Sequence, residues 1–222
     1  CDYEAVRYNE LLLDYTYFLY TYGRYDKALE IWLREVLLSE QLYGEDHPDT
    51  ATTYNNIGLV YSKLGEYTNG LDYYFKALSI KEKVLGKDDP LIADSYNNIG
   101  AVYDNLGDYD KALEYYSKAL SIREKVLGKG HRSTATSYNN IGLVYIELGD
   151  YDKALGYLSK ALSISEKVLG KDDPFTATSY DNIGSVYYEL GDYDKALEYC
   201  SKALSIDENV LGKDHPETAT SY

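Results

Sequence analysis

The residues best suited to acid–base or metal chemistry are three histidines, His47, His131 and His215, which stand 84 residues apart. Asp89 and Asp173 fall in the same column of a repeating turn. A catalytic triad or a metal site needs such groups to converge. This spacing instead puts a His or Asp at the start of successive segments, where it suits turn and cap chemistry. The two cysteines, Cys1 and Cys200, form neither a C-x-x-C pair nor a metal spacing. They read as a terminal thiol and a small buried side chain, in keeping with an intracellular, cytoplasmic setting. "GKGHRS" (128–133) has a Gly-Lys but lacks the spacing of a phosphate loop and follows no strand. Carboxylates recur evenly, as on solvated helical faces. The sequence therefore predicts no catalytic residue, no metal, no cofactor and no enzyme.

The other polar residues with a pattern are asparagines. "YNNIG" occurs at Tyr54–Gly58, Tyr96–Gly100 and Tyr138–Gly142, and "YDNIG" at Tyr180–Gly184. Each asparagine costs a helix about half a kcal/mol against alanine, so a repeated pair calls for a reason.

Charge narrows the partners. The net charge of −15 argues against nucleic acid and against anionic membrane surfaces, and favours neutral or basic partners. No apolar stretch approaches transmembrane length; "LLLDYTYFLY" (11–20) is short and is interrupted by Asp14. With no methionine anywhere, the sequence reads as a piece of something longer.

Glycine supplies a ruler for the segments around the asparagines. Gly23, Gly65, Gly107, Gly149 and Gly191 are 42 residues apart, and so are Gly44, Gly86, Gly128, Gly170 and Gly212. The spacing predicts one repeat array over 1–222, with units 9–50 (divergent), 51–92, 93–134, 135–176 and 177–218, and a truncated start of another at 219–222. Each unit reads as two helices. In 93–134 the first runs from about Pro90 to Leu106, with Asp88 and Asp89 able to cap it and Pro90 in its first turn. The second spans about 108–127, between Gly107 and Gly128 as helix stops. Apolar residues at Ala112, Leu113, Tyr116, Ala119 and Leu120 have helical spacing. Most of the 28 tyrosines fall in five repeat columns, those of Tyr54, Tyr61, Tyr67, Tyr73 and Tyr74, and read as packing residues whose hydroxyls reach water or a neighbour.

Tyr96, Ile99, Gly100 and Tyr103, followed by Ala112, Tyr116 and Ala119, resemble the tetratricopeptide signature. The longer period, the Asn-Asn segment and the turns "GEDHP" (44–48) and "GKDHP" (212–216) make the units similar to the repeats of kinesin light chains. The resemblance implies an all-α fold, a right-handed α-solenoid of stacked antiparallel helix pairs, whose first helices line a concave groove that binds extended peptides.

A helical wheel puts Tyr96, Ile99, Gly100, Tyr103 and Leu106 on the core face and Asp94, Asn97, Ala101 and Asp104 opposite it. The expected peptide-binding columns are therefore Asn55, Asn97, Asn139, Asp181, then Leu59, Ala101, Leu143, Ser185, then Ser62, Asp104, Ile146, Tyr188, and beside them Lys63, Asn105, Glu147, Glu189. The second asparagines, Asn56, Asn98, Asn140 and Asn182, lie on the flank. They could hold peptide, but a ladder between adjacent helices is the favoured reading. The variable face carries more acid than base, which suits a neutral or basic segment. Two other functions fit the pattern: a self-associating solenoid, forming dimers or stacks through its terminal repeats, and a regulatory repeat region of a larger protein.

Overall fold

The structure, a computed structural model, describes Leu12 and residues 15–210, so Cys1, His215, the turn at 212–216 and the truncated repeat at 219–222 lie outside the described residues. Every described element is a helix: α1 (15–21), α2 (Tyr25–Tyr43), α3 (Pro48–Lys63), α4 (Tyr67–Val84), α5 (Pro90–Asn105), α6 (Tyr109–Val126), α7 (Arg132–Glu147), α8 (Tyr151–Val168), α9 (Pro174–Glu189) and α10 (Tyr193–Val210). The bounds expected for the 93–134 repeat are met to within a residue or so. The chain divides into two compact units, Cys1–Asp108 and Tyr109–Tyr222. In the first, α3 pairs with α4, α2 packs on α3, and α4 packs on α5. In the second, α7 pairs with α8 and α9 with α10, while α6 packs on α7 and α8 on α9. Each unit is thus a stack of antiparallel helix pairs.

Local chemistry sets these bounds. His47 and His131 accept hydrogen bonds at Nδ1 from the amides of Asp49 (3.2 Å) and Ser133 (3.1 Å), and Asp89 and Asp173 accept from those of Leu91 (2.8 Å) and Phe175 (2.9 Å). The histidine–aspartate column is therefore an N-cap column, satisfying an amide that the helix leaves without a partner. The first helices end in a Schellman turn. Asp108 N–H donates to Tyr103 O and Gly107 N–H to Asp104 O, with Gly107 at φ 72°, a left-handed value that a Cβ would strain.

The helices of a pair meet at glycine. A Cβ on Gly142 would lie 2.7 Å from Leu158 Cγ, and one on Gly184 2.7 Å from Cys200 Sγ. Small against large lets the pair close to interior packing density. The core of the second unit joins Ala154, Leu158 and Leu162 of α8 to Ala177, Tyr180, Ile183 and Val186 of α9. One expectation fails here: Leu106, placed on the core face by the wheel, is 48% exposed. It is the C-cap residue, where the chain has already begun to turn, and the buried position is Val102.

Candidate peptide-binding face

In both units the asparagines are partnered with each other. Asn98 Nδ2 donates to Asn55 Oδ1 (3.2 Å), and Asn182 Nδ2 donates to Asn139 Oδ1 (2.8 Å). The second asparagine of one repeat thus reaches the first asparagine of the repeat before it. An amide carries both a donor and an acceptor, so one residue type can serve every rung. This bond offsets the helix cost of the pair. It also explains why Asn139, which the wheel keeps out of the core, is buried. Asn55, Asn56, Asn97, Asn98, Asn140 and Asn182 are half-buried.

The fourth member of the first-asparagine column is an acid. Asp181 stands in the first-asparagine column, half-buried, and its carboxyl is pushed up to about 6 by burial and then by the charge of Asp207. A carboxylate there has lost water without gaining an opposite charge.

The remaining columns separate into packed and open positions. Leu59, Ala101 and Leu143 are half-buried, whereas Ser185 is exposed and donates to Asn182 O (2.8 Å). Ser62 is turned back on its own helix, donating to Gly58 O (2.8 Å). Asp104 is half-buried. Ile146 packs against the core cluster of the second unit, because the column it occupies is covered by the following repeat. Tyr188, in the same column, is exposed and meets Tyr193 edge-on at 5.6 Å. Lys63, Asn105, Glu147 and Glu189 are all exposed; Asn105 donates to Ala101 O (2.7 Å), and Glu147 accepts from the Tyr109 hydroxyl (3.4 Å). In the second unit the open positions are therefore the acids Glu147 and Glu189 beside Tyr188 and Ser185. In the first they are Lys63 and Asn105.

Two sets of joints were not foreseen. The Tyr54, Tyr96, Tyr138 and Tyr180 hydroxyls donate to Glu40, Glu82, Glu124 and Glu166. Burial, and the carboxylate that accepts the proton, push the Tyr138 and Tyr180 phenols up to about 12. In the adjacent columns, one residue earlier, Lys81 Nζ donates to Ser95 Oγ (2.8 Å), and the Arg123 guanidinium donates to Ser137 Oγ (2.7 Å) and Ser133 O (3.2 Å). The two side chains of each side-chain pair are 14 residues apart, and that constant offset, repeated every 42 residues, was available in the sequence. The tyrosine columns also hold lysine. Lys160 lies 5.3 and 5.2 Å from the Tyr138 and Tyr157 ring centres, and Lys202 lies 5.7 and 5.0 Å from those of Tyr180 and Tyr199.

The tetratricopeptide repeat family model matches residues 17–68, 51–125, 91–167, 133–199 and 175–222. The chain belongs to the tetratricopeptide repeat family. Solved structures resemble it over nearly its whole length. BtubC (BKLC) from P. vanneervenii is 25% identical with a TM-score of 0.80, covering 93% of this chain and 82% of its own. A putative kinesin light chain of nearly identical TPR-like repeats from Podosopora anserina is 19% identical with a TM-score of 0.74, covering 94% and 98%. The Rap conjugation gene regulator of plasmid pLS20, solved in complex with the Phr* peptide, is 18% identical with a TM-score of 0.76; the match covers 98% of this chain and 57% of that one. Among curated proteins no match was found. No helix among the described residues is long and apolar enough to cross a membrane.

Proposed function

We propose that the chain is a protein–protein interaction scaffold that holds an extended, neutral or basic segment of a partner along its first helices. The observation that carries the reading is the half-buried acid Asp181. Asp181, in the first-asparagine column, is a half-buried acid, and Ser185, Tyr188 and Glu189 line the same open cavity. A lysine or arginine of a bound segment would supply the opposite charge that Asp181 lacks, while the tyrosine offers apolar area. Asn55 and Asn139 contribute less, since their amides already accept from Asn98 and Asn182. A solved relative's complex with a peptide supports the class of ligand. The reading assigns the protein no catalytic step and no cofactor.

The test is a set of labelled extended peptides graded from acidic to basic, bound to the protein and to a Glu147→Lys/Glu189→Lys variant. Both glutamates are exposed, so the variant should stay folded. A preference for basic peptides that weakens by about tenfold or more in the variant supports the proposal. A preference for acidic peptides, or no binding across the set, overturns it.

A further inference from the structure

One crevice inside the second unit gathers donors that the fold leaves unused. Ser159, Lys160, Ser163 and Ile164 of α8, Tyr138 of α7 and Lys129 of the turn before α7 line about 380 Å³ of open space, a volume in the range of ligand-binding clefts. None of these lining residues is an acid, in a chain whose net charge is −15. One repeat earlier, Lys87 and Tyr96 hold the columns of Lys129 and Tyr138, and the crevice there does include an acid, Glu82. Its counterpart Glu124 accepts the Tyr138 hydroxyl.

Lys160 lacks a carboxylate for a reason visible in its column. Arg34, Lys118 and Lys202 hold that column in other repeats, and each is ion-paired with the acid four residues before it, Glu30 (2.7 Å), Glu114 (2.6 Å) and Glu198 (2.6 Å). The residue four before Lys160 is Gly156. Among the described residues neither Lys160 nor Lys129 has a carboxylate partner, and the Ser159 and Ser163 hydroxyls make no hydrogen bond, whereas Ser201, in the column of Ser159, donates to Leu197 O (2.6 Å). Packing does not require Gly156. A Cβ there would meet nothing within 4 Å, and its φ is not positive. Glycine inside a helix is unfavourable, so the position gives up both helix propensity and an ion pair, and what it yields is an uncommitted ammonium group.

We propose that this crevice binds a phosphate dianion, held between Lys129 and Lys160 with the Ser159 and Ser163 hydroxyls as further donors. Two ammonium groups match the charge of a phosphate, and hydroxyls donate to its remaining oxygens. Tyr138 and Ile164 add apolar wall, which favours a phosphate carried on an organic stem, such as a phosphorylated side chain, over the free ion. The net charge of −15 opposes an anion at long range. At physiological salt charges are screened beyond about 8 Å, so the groups lining the crevice dominate. The site is separate from Asp181, which calls for a base, and the two readings stand or fall independently.

Isothermal titration of the intact chain tests the proposal, at constant ionic strength, with inorganic phosphate and with a short neutral peptide in phosphoserine and unmodified forms. The phosphorylated peptide should bind, more tightly than inorganic phosphate, and the unmodified one should not. Gly156→Glu restores the carboxylate that the neighbouring repeats carry, and should weaken phosphate binding by about tenfold or more. Gly156→Gln has the same size without the charge, and should leave affinity within about twofold. Both variants remove a helix glycine, so circular dichroism should show melting no earlier than the parent's. Lys129→Ala should weaken binding as well, while binding of basic peptides stays unchanged in all three variants. Inorganic phosphate binding as tightly as the phosphopeptide, with the same response to the variants, keeps the site and assigns it to the free ion. No binding of either phosphate form, equal loss in Gly156→Glu and Gly156→Gln, or affinity indifferent to Lys129→Ala overturns it.

Discussion

By register α2 and α8 are the same helix of two repeats, and they fill the same interior with opposite chemistry. α8 buries Ala154, Leu158, Ala161, Leu162 and Ser165, and its one buried hydroxyl donates to Leu162 O (2.9 Å). α2 buries Ala28, Trp32, Glu35, Val36 and Ser39 in the corresponding places. Glu35 stands where the other units have Ala77, Ala119, Ala161 and Ala203, and it is 1% exposed. Its two carboxyl oxygens, the Trp32 indole N–H and the Ser39 hydroxyl have no hydrogen-bond partner among the described residues. Repetition alone therefore does not guarantee a satisfied interior. Where a repeat departs from the consensus, buried polar groups are left without partners, at a cost of about 1–3 kcal/mol each.

The largest way to erase that difference is Glu35→Ala. Burial pushes the Glu35 carboxyl up to about 7 from its ordinary 4.5. Folding therefore favours the protonated acid. The stability Glu35 permits is fully present below its unfolded value and is lost as pH rises from about 4.5 towards 7. A shift of that size is worth about 3 kcal/mol. The alanine variant should gain on the parent by about that amount between pH 4.5 and 8, read from unfolding curves that follow the fluorescence of Trp32, the one tryptophan in the chain. A difference between the two that does not change with pH would show that Glu35 is not titrating in the interior.

The two repeats also differ where the helices of a pair approach most closely. Gly142 lets α7 meet Leu158, whereas the first repeat has Thr16, whose hydroxyl donates to Leu12 O (2.6 Å). Gly142→Ala should cost about 1–3 kcal/mol, because the new methyl would overlap a leucine fixed in the core. Chemical denaturation measures it, and an unchanged midpoint would mean that the pair can open without penalty.

The smallest effect concerns the turn before α7. Gly130 and Arg132 occupy the places of Asp88 and Pro90, and of Asp172 and Pro174. Gly130 has no positive φ and open space around it, and Arg132 is the first residue of its helix. Gly130→Asp with Arg132→Pro should therefore stabilise by about 1 kcal/mol, through the unfolded chain's lost freedom. The melting temperature should rise; no change would place the weak joint elsewhere.

Much of this was legible in advance. The helices, their stops and the caps at His47, Asp89, His131 and Asp173 follow from residue types a few positions apart, and such signals survive in sequence because the interactions are local. The pairing of Tyr96 with Glu82 and of Lys81 with Ser95 was also there to read, as an offset of 14 residues. The candidate face was less legible. A wheel sorts one isolated helix into sides, but Ile146 and Asn139 are covered by a neighbouring repeat.

The sequence alone determines the period, the helix pairs and the glycine on which each pair closes, because these depend on propensity, capping and volume at fixed spacing. Only the tertiary structure decides that Asn98 serves Asn55 and Asn182 serves Asn139, and that Glu35 is sealed in an alanine slot. Partner, burial and charge state belong to the space between helices, and stacking creates that space.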